Sequence, residues 1–122
     1  MHTAIAAGLN QGHATAIMGC DVPHCPATQF QACFEQLQSG RNVVGPTRDG
    51  GYYLVGANRH HPAMFDGVAW GTATAFNQTL AACRAAGIEF HHHLVCLQDL
   101  DTHDDLQALA VYDSRLKSFL VE

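Results

Sequence analysis

Four aspartates stand at turns where a chain can gather carboxylates: Asp21 in GCDVP, Asp49 in RDGG, and Asp99 and Asp101 in DLDT. Carboxylate oxygens suit hard divalent cations such as Mg²⁺ or Mn²⁺, and a nucleotide or nucleotide-sugar would complete the ligand shell through its phosphates. Aspartates at such places also form turns and caps through local hydrogen bonds alone, so each cluster has a purely structural explanation beside the chemical one. Asp104 and Asp105 are read that way, as first-turn residues that offset a helix dipole. Gly50 and Gly51 leave bare backbone ahead of an aromatic strand, which serves the close approach of a ligand or a plain turn. Arg48 is the only cation of that loop, and its planar fork can meet a phosphate.

The nine histidines and five cysteines raise the question of a softer metal site. His91, His92 and His93 alternate faces if they lie on a strand, so they do not converge on one ion unless His60, His61 or His103 is borrowed. Solvated histidines on a strand surface are the simpler account. Cys20, His24 and Cys25 lack a fourth ligand at the usual zinc spacing. No CxxC pair and no G-x-S-x-G motif occurs, and nucleophilic catalysis has no support. The cysteines are read as reduced thiols of a cytoplasmic protein.

Six Lys and Arg against eleven Asp and Glu give a formal charge of −5, which disfavours nucleic acid and anionic membrane surfaces as partners. No run of 18 apolar residues occurs to span a bilayer. At 122 residues the chain is read as one domain, 1–122. Ile5 and Leu9 suit a helix over 2–9, and the apolar run 14–19 suits a buried parallel strand stopped by Asp21, Pro23 and Pro26. Phe30, Cys33, Phe34 and Leu37 mark an amphipathic helix between Pro26 and Gly40. The runs 42–45 and 52–57 read as strands joined by PTRDGG. GVAW (67–70) is a further strand candidate, and Thr72 or Thr74 can cap a helix that ends at Gly87. Residues 88–97 read as a strand, Thr102 and Asp105 have capping-box spacing, and a last helix carries Leu106, Leu109, Leu116 and Phe119. This alternation predicts an α/β fold in three layers, with a mainly parallel sheet between helices and ligands bound beyond the carboxyl ends of its strands.

Taken together, GCDVP (19–23), GPTRDGGYYLVG (45–56), FDGVAWGTATAFNQT (65–79) and LQDLDTHDDL (97–106) resemble, in order and spacing, a bacterial group of small glycosyltransferase-like proteins. They have the glycosyltransferase A fold, within the nucleotide-diphospho-sugar transferase superfamily, and are also called radical-SAM/selenodomain-associated transferases. The resemblance implies that Asp21 occupies the metal-binding DxD position, although Cys20 and Val22 make it no literal DxD. It implies that Asp101, with Asp99 beside it, completes the metal site for Mg²⁺ or Mn²⁺. Asp49, Gly50 and Gly51 match the DGG loop facing the acceptor or sugar, which makes Asp49 and Asp21 the catalytic candidates. Trp70 and Thr72 match the site-lining W-G-T segment and, with Arg48, complete the substrate-binding set.

The chain matches only the C-terminal part of such a domain, since the resemblance places a nucleotide-holding loop before its first helix. Such an N-terminal truncation would leave the strand 14–19 as an exposed apolar edge, which invites pairing, and a homodimer or higher oligomer is expected. Two functions follow. One is a metal-dependent glycosyl- or nucleotidyl-transferase-like protein acting on a nucleotide-sugar or nucleotide. The alternative is a non-catalytic oligomeric binding module on the same scaffold.

Overall fold

Among the described residues, the apolar runs and glycine stops yield four strands and four α-helices. The computed structural model describes residues 1–120, apart from the side chains of His2, His91 and His92. Helix α1 (His2–Asn10) leads into β1 (Thr15–Met18), and α2 (Ala27–Gln38) starts behind Pro26, whose fixed φ suits a helix entry. Strands β2 (Asn42–Pro46) and β3 (Tyr52–Ala57) follow, then α3 (Ala75–Ala85), β4 (Phe90–His93) and α4 (His103–Ala110).

The sheet has the order β1-β3-β2-β4, and β3 runs antiparallel to both of its neighbours while β2 and β4 are parallel. Two of the three pairings are therefore antiparallel, and the expectation of a mainly parallel sheet is corrected. The physical reason is the connection over 47–51: parallel neighbours need a crossover of a dozen or more residues, so so short a link can only return the chain antiparallel. Strands β1, β2 and β4 do share one direction, as an alternating chain should arrange them. Strand β3 is the exception, slotted between β1 and β2.

Apolar side chains cover both faces and make three layers. On one face α2 places Cys33 and Leu37 against Val43, Tyr53 and Leu54, joined by Val22, Leu94 and Leu97. On the other, Ile5 of α1, Met64 and Phe65 of the 3-10 helix Pro62–Phe65, and Cys83 of α3 pack on Val55 and Ala57. Tyr53 and Leu54 share a face because the pairing jumps from Gly45–Leu54 to Pro46–Tyr52, leaving Tyr53 as a bulge. The Tyr53 ring then lies across Gly45, where an added Cβ would fall 2.5 Å from it.

Three local expectations change and one is not tested. GVAW forms a turn with Val68 buried, not a strand. The strand expected over 88–97 keeps its regular form only through His93; Val95 and Cys96 bow outwards before Leu97 returns to bridge Thr47. The alternation expected for His91–His93 rests on His91 and His92, whose side chains lie outside the described ones. The last helix divides into α4 and a 3-10 helix, Ser114–Phe119, where the Asp113 side chain accepts from the Arg115 backbone N–H and restarts the turn. No described helix is long and apolar enough to cross a membrane.

Candidate functional site

Each aspartate turn follows the carboxyl end of one of the three co-directional strands: Asp21 after β1, Asp49 after β2, Asp99 and Asp101 after β4. Backbone hydrogen bonds draw these ends together. The Leu100 N–H donates to the Asp21 carbonyl at 2.8 Å, and the Gly19 N–H donates to the Tyr53 carbonyl at 2.9 Å. The Leu97 N–H donates to Pro46 and the Arg48 N–H to Leu97, each at 3.0 Å, which ties the segment after β4 to the DGG loop. The result is a cleft of about 430 Å³ whose lining includes Asp21, Asp49, Gly51, Asp99 and Asp101 together with Tyr52, Trp70 and Thr72.

One carboxylate oxygen from each of Asp21, Asp99 and Asp101 lies within 4.8 Å of the others, and among the described residues no other acidic, histidine or cysteine group converges in this way. Cys20, His24 and Cys25 are thus not gathered into a metal-binding set. Val22 is buried in the α2-side core, so the turn after β1 supplies one carboxylate and the rest come from across the sheet. Asp99 is buried while Asp21 and Asp101 are exposed. Burial, then a hydrogen bond shared with Asp49 and the negative charges of Asp49 and Asp101, push the Asp99 carboxyl up to about 7. Three carboxylate oxygens gathered from two turns, one of them on a buried side chain, form a set of hard donors that fits a divalent cation.

Asp49 has a second occupation. Its Oδ1 accepts from the Thr47 hydroxyl at 2.6 Å and from the Gly51 N–H at 2.9 Å, and these bonds, the Thr47 one foremost, hold its carboxyl below the ordinary range. The DGG loop is therefore braced by the side chain it presents. Gly50 stands outside the cleft lining, at φ +88, and an added Cβ would fall 2.0 Å from the Ala73 carbonyl oxygen. Its bareness serves contact with the segment after Trp70, reinforced by the Phe76 N–H donating to the Gly50 carbonyl at 2.8 Å. Arg48 also stands outside the lining; its Nη1 reaches Gln98 Oε1 at 3.5 Å. Trp70 is 51% exposed, edge-on to Tyr52 and tilted against Phe65. The Thr72 hydroxyl donates to the Ala69 carbonyl at 2.6 Å, closing its own turn.

Asp105, read from its position as a plain cap, does more. Its carboxylate accepts from the N–H groups of Asp101 and Thr102, from the Thr102 hydroxyl and from the Gln98 amide, so it shapes the turn that carries Asp99 and Asp101. These bonds, led by Thr102, lower its carboxyl to about 2. The T-x-x-D spacing predicts the cap; nothing local predicts the bonds to Gln98 and Asp101. Thr47 was also missed, although a hydroxyl two residues before Asp49 is a recognisable brace.

Residues 1–72 match a family described as "Uncharacterized protein conserved in bacteria (DUF2064)". The chain belongs to this family. The fold of this DUF2064 protein is similar to the crystal structure of a "putative nucleotide-diphospho-sugar transferase" from Desulfovibrio desulfuricans G20, with a TM-score of 0.80 and 32% identity over 94% of the chain. The chain spans 50% of the length of that protein. No curated protein matches it. The superfamily-level resemblance stands on these findings, and in the DUF2064 chain the matched region carries Asp21, the DGG loop and Trp70.

Proposed function

We propose that this protein is a glycosyl- or nucleotidyl-transferase-like protein that binds a nucleotide-sugar or nucleotide together with Mg²⁺ or Mn²⁺. The observation that carries the reading is the convergence of Asp21, Asp99 and Asp101 from two distant turns in the lining of a cleft that also presents Tyr52 and Trp70. Asp21 and Asp101 hold the cation with Asp99, and Trp70 and Tyr52 offer ring surface to a sugar or base. The cation, when bound, supplies neutralisation of the diphosphate. In the transfer the acceptor oxygen bonds to the migrating group as the bond to the diphosphate oxygen breaks. The electron pair leaves with the diphosphate, while Asp49 contacts the acceptor, whose proton passes to water. Catalysis of this kind is positional and electrostatic.

The test is calorimetric titration of nucleotide-diphosphate sugars with and without Mn²⁺. Binding that needs Mn²⁺ and falls at least tenfold in both Asp21→Asn and Asp101→Asn is the expected outcome; no heat for any nucleotide-sugar with Mn²⁺ present would end the reading. A second reading, a binding module without turnover, is favoured by one observation: no Lys or Arg is among the residues lining the cleft. Metal-dependent binding with no product released from a labelled donor would select it.

A further inference from the structure

The segment after β4 carries two of the three gathered carboxylates, and its backbone is pinned in steps. The Leu97 N–H is held by the Pro46 carbonyl at 3.0 Å and the Leu100 N–H by the Asp21 carbonyl at 2.8 Å. Beyond Leu100 the Asp101 N–H donates to Asp105 Oδ2 at 3.1 Å. The place of Asp101 therefore depends on what holds Asp105.

Asp105 is held at both carboxylate oxygens. Oδ2 accepts from the N–H groups of Asp101 and Thr102 and from the Thr102 hydroxyl, all within the turn itself. Oδ1 accepts from the side-chain amide of the half-buried Gln98 at 3.1 Å. Gln98 follows Leu97, which bridges Thr47, so this bond fastens the capped turn to the end of the sheet. The other end of the amide faces the DGG loop, where Arg48 Nη1 lies 3.5 Å from Gln98 Oε1. A guanidinium only donates and a carboxylate only accepts, so a carboxamide between them has one orientation that serves both. A Glu at this position would face Asp105 as a like charge, and a Lys would face Arg48.

We propose that Gln98 is a positioning residue for the cation site, holding Asp101 through Asp105 in its approach to Asp21 and Asp99. Gln98 is not among the residues lining the cleft, so its effect on an ion passes through the groups it holds. Outer hydrogen bonds of this kind orient metal ligands and set affinity without touching the ion. The inference rests on the reading of Asp21, Asp99 and Asp101 as cation ligands.

Gln98→Glu separates position from charge. The exchange keeps the size of the side chain and adds a negative charge near the carboxylates. Acting through charge alone, it would tighten the binding of a cation. Loss of the amide donor, with repulsion from Asp105, weakens it. Mn²⁺ alone is titrated into the whole chain by calorimetry, with the wild type set against Gln98→Glu and the uncharged Gln98→Leu and the unfolding midpoint of each checked. At least threefold weaker binding in both variants is expected. Amide NMR without metal is the second readout: the Asp101 and Thr102 N–H signals are expected to shift and to exchange at least threefold faster in both variants. Equal or tighter Mn²⁺ binding in Gln98→Glu, or unmoved Asp101 and Thr102 amides, overturns the proposal. If the wild type binds no Mn²⁺ while those amides move as expected, the cation reading falls and the hold of Gln98 on the turn stands.

Discussion

At the scale of single residues, Gly12 and, in the DGG loop, Gly50 separate two reasons for being glycine. Gly12 and Gly50 both have positive φ, but an added Cβ at Gly12 meets nothing within 4 Å while at Gly50 it overlaps the Ala73 backbone. Gly12→Ala is therefore expected to cost roughly 1 kcal/mol from backbone strain alone. Gly50→Ala adds overlap to strain and is expected to cost roughly 2–5 kcal/mol, read from urea unfolding at equilibrium. Asp99 makes a prediction about pH. Its folded-state pKa, about 7, lies above the ordinary value of 3.8, so the folded chain holds a proton that the unfolded chain releases. Stability from this group is whole below the unfolded value and is lost as pH rises through about 7. Without divalent ions, the unfolding midpoint of Asp99→Asn is expected to fall less than that of the wild type between pH 5 and 8; parallel curves would contradict the assignment.

At the scale of elements, α4 is tied to the site through its cap. The Thr102–Asp105 box is present in both directions, and the same Asp105 carboxylate holds the Asp101 N–H. Asp105→Ala is expected to speed hydrogen exchange at the first turn of α4 and to weaken Mn²⁺ binding together. Acceleration at the helix with unchanged Mn²⁺ affinity would show that the cap and the carboxylate turn are independent. Because the Asp105 carboxyl is lowered to about 2, the cap is intact above the ordinary carboxylate range and is lost as pH falls through about 2. The bulge at Tyr53 is the other element-scale device. It moves Tyr53 onto the α2 face, where its hydroxyl donates to the Val95 carbonyl at 3.0 Å and helps hold the segment leading to Asp99.

At the scale of the whole molecule, β1 is an edge strand among the described residues, and its sequence TAIM carries no charge to blunt that edge. Beside it Ala16, Met18, Phe30 and Phe34 line an apolar groove of about 370 Å³. The expectation of self-association through this edge is checked by light scattering at micromolar concentration. A dimer mass that Ala16→Lys returns to the monomer is the expected result, and a monomeric wild type contradicts it.

Much of this arrangement is legible in the sequence. Pro26 and Gly40 bracket α2, Thr102 and Asp105 mark the start of α4, and the aspartates sit where strands end, because caps, stops and hydrophobic period are local properties. The 47–51 link was also short enough in the sequence to announce a reversal between β2 and β3. What only the tertiary structure decided is which strand lies beside which, and hence which carboxylates meet. Hydrophobic period states which side chains face a core and is silent on the neighbouring strand, so the insertion of β3 between β1 and β2 lies beyond it. For the same reason the 4.8 Å approach of Asp21 to Asp99 and Asp101 and the pressing of Ala73 on Gly50 follow from packing between segments far apart in the chain.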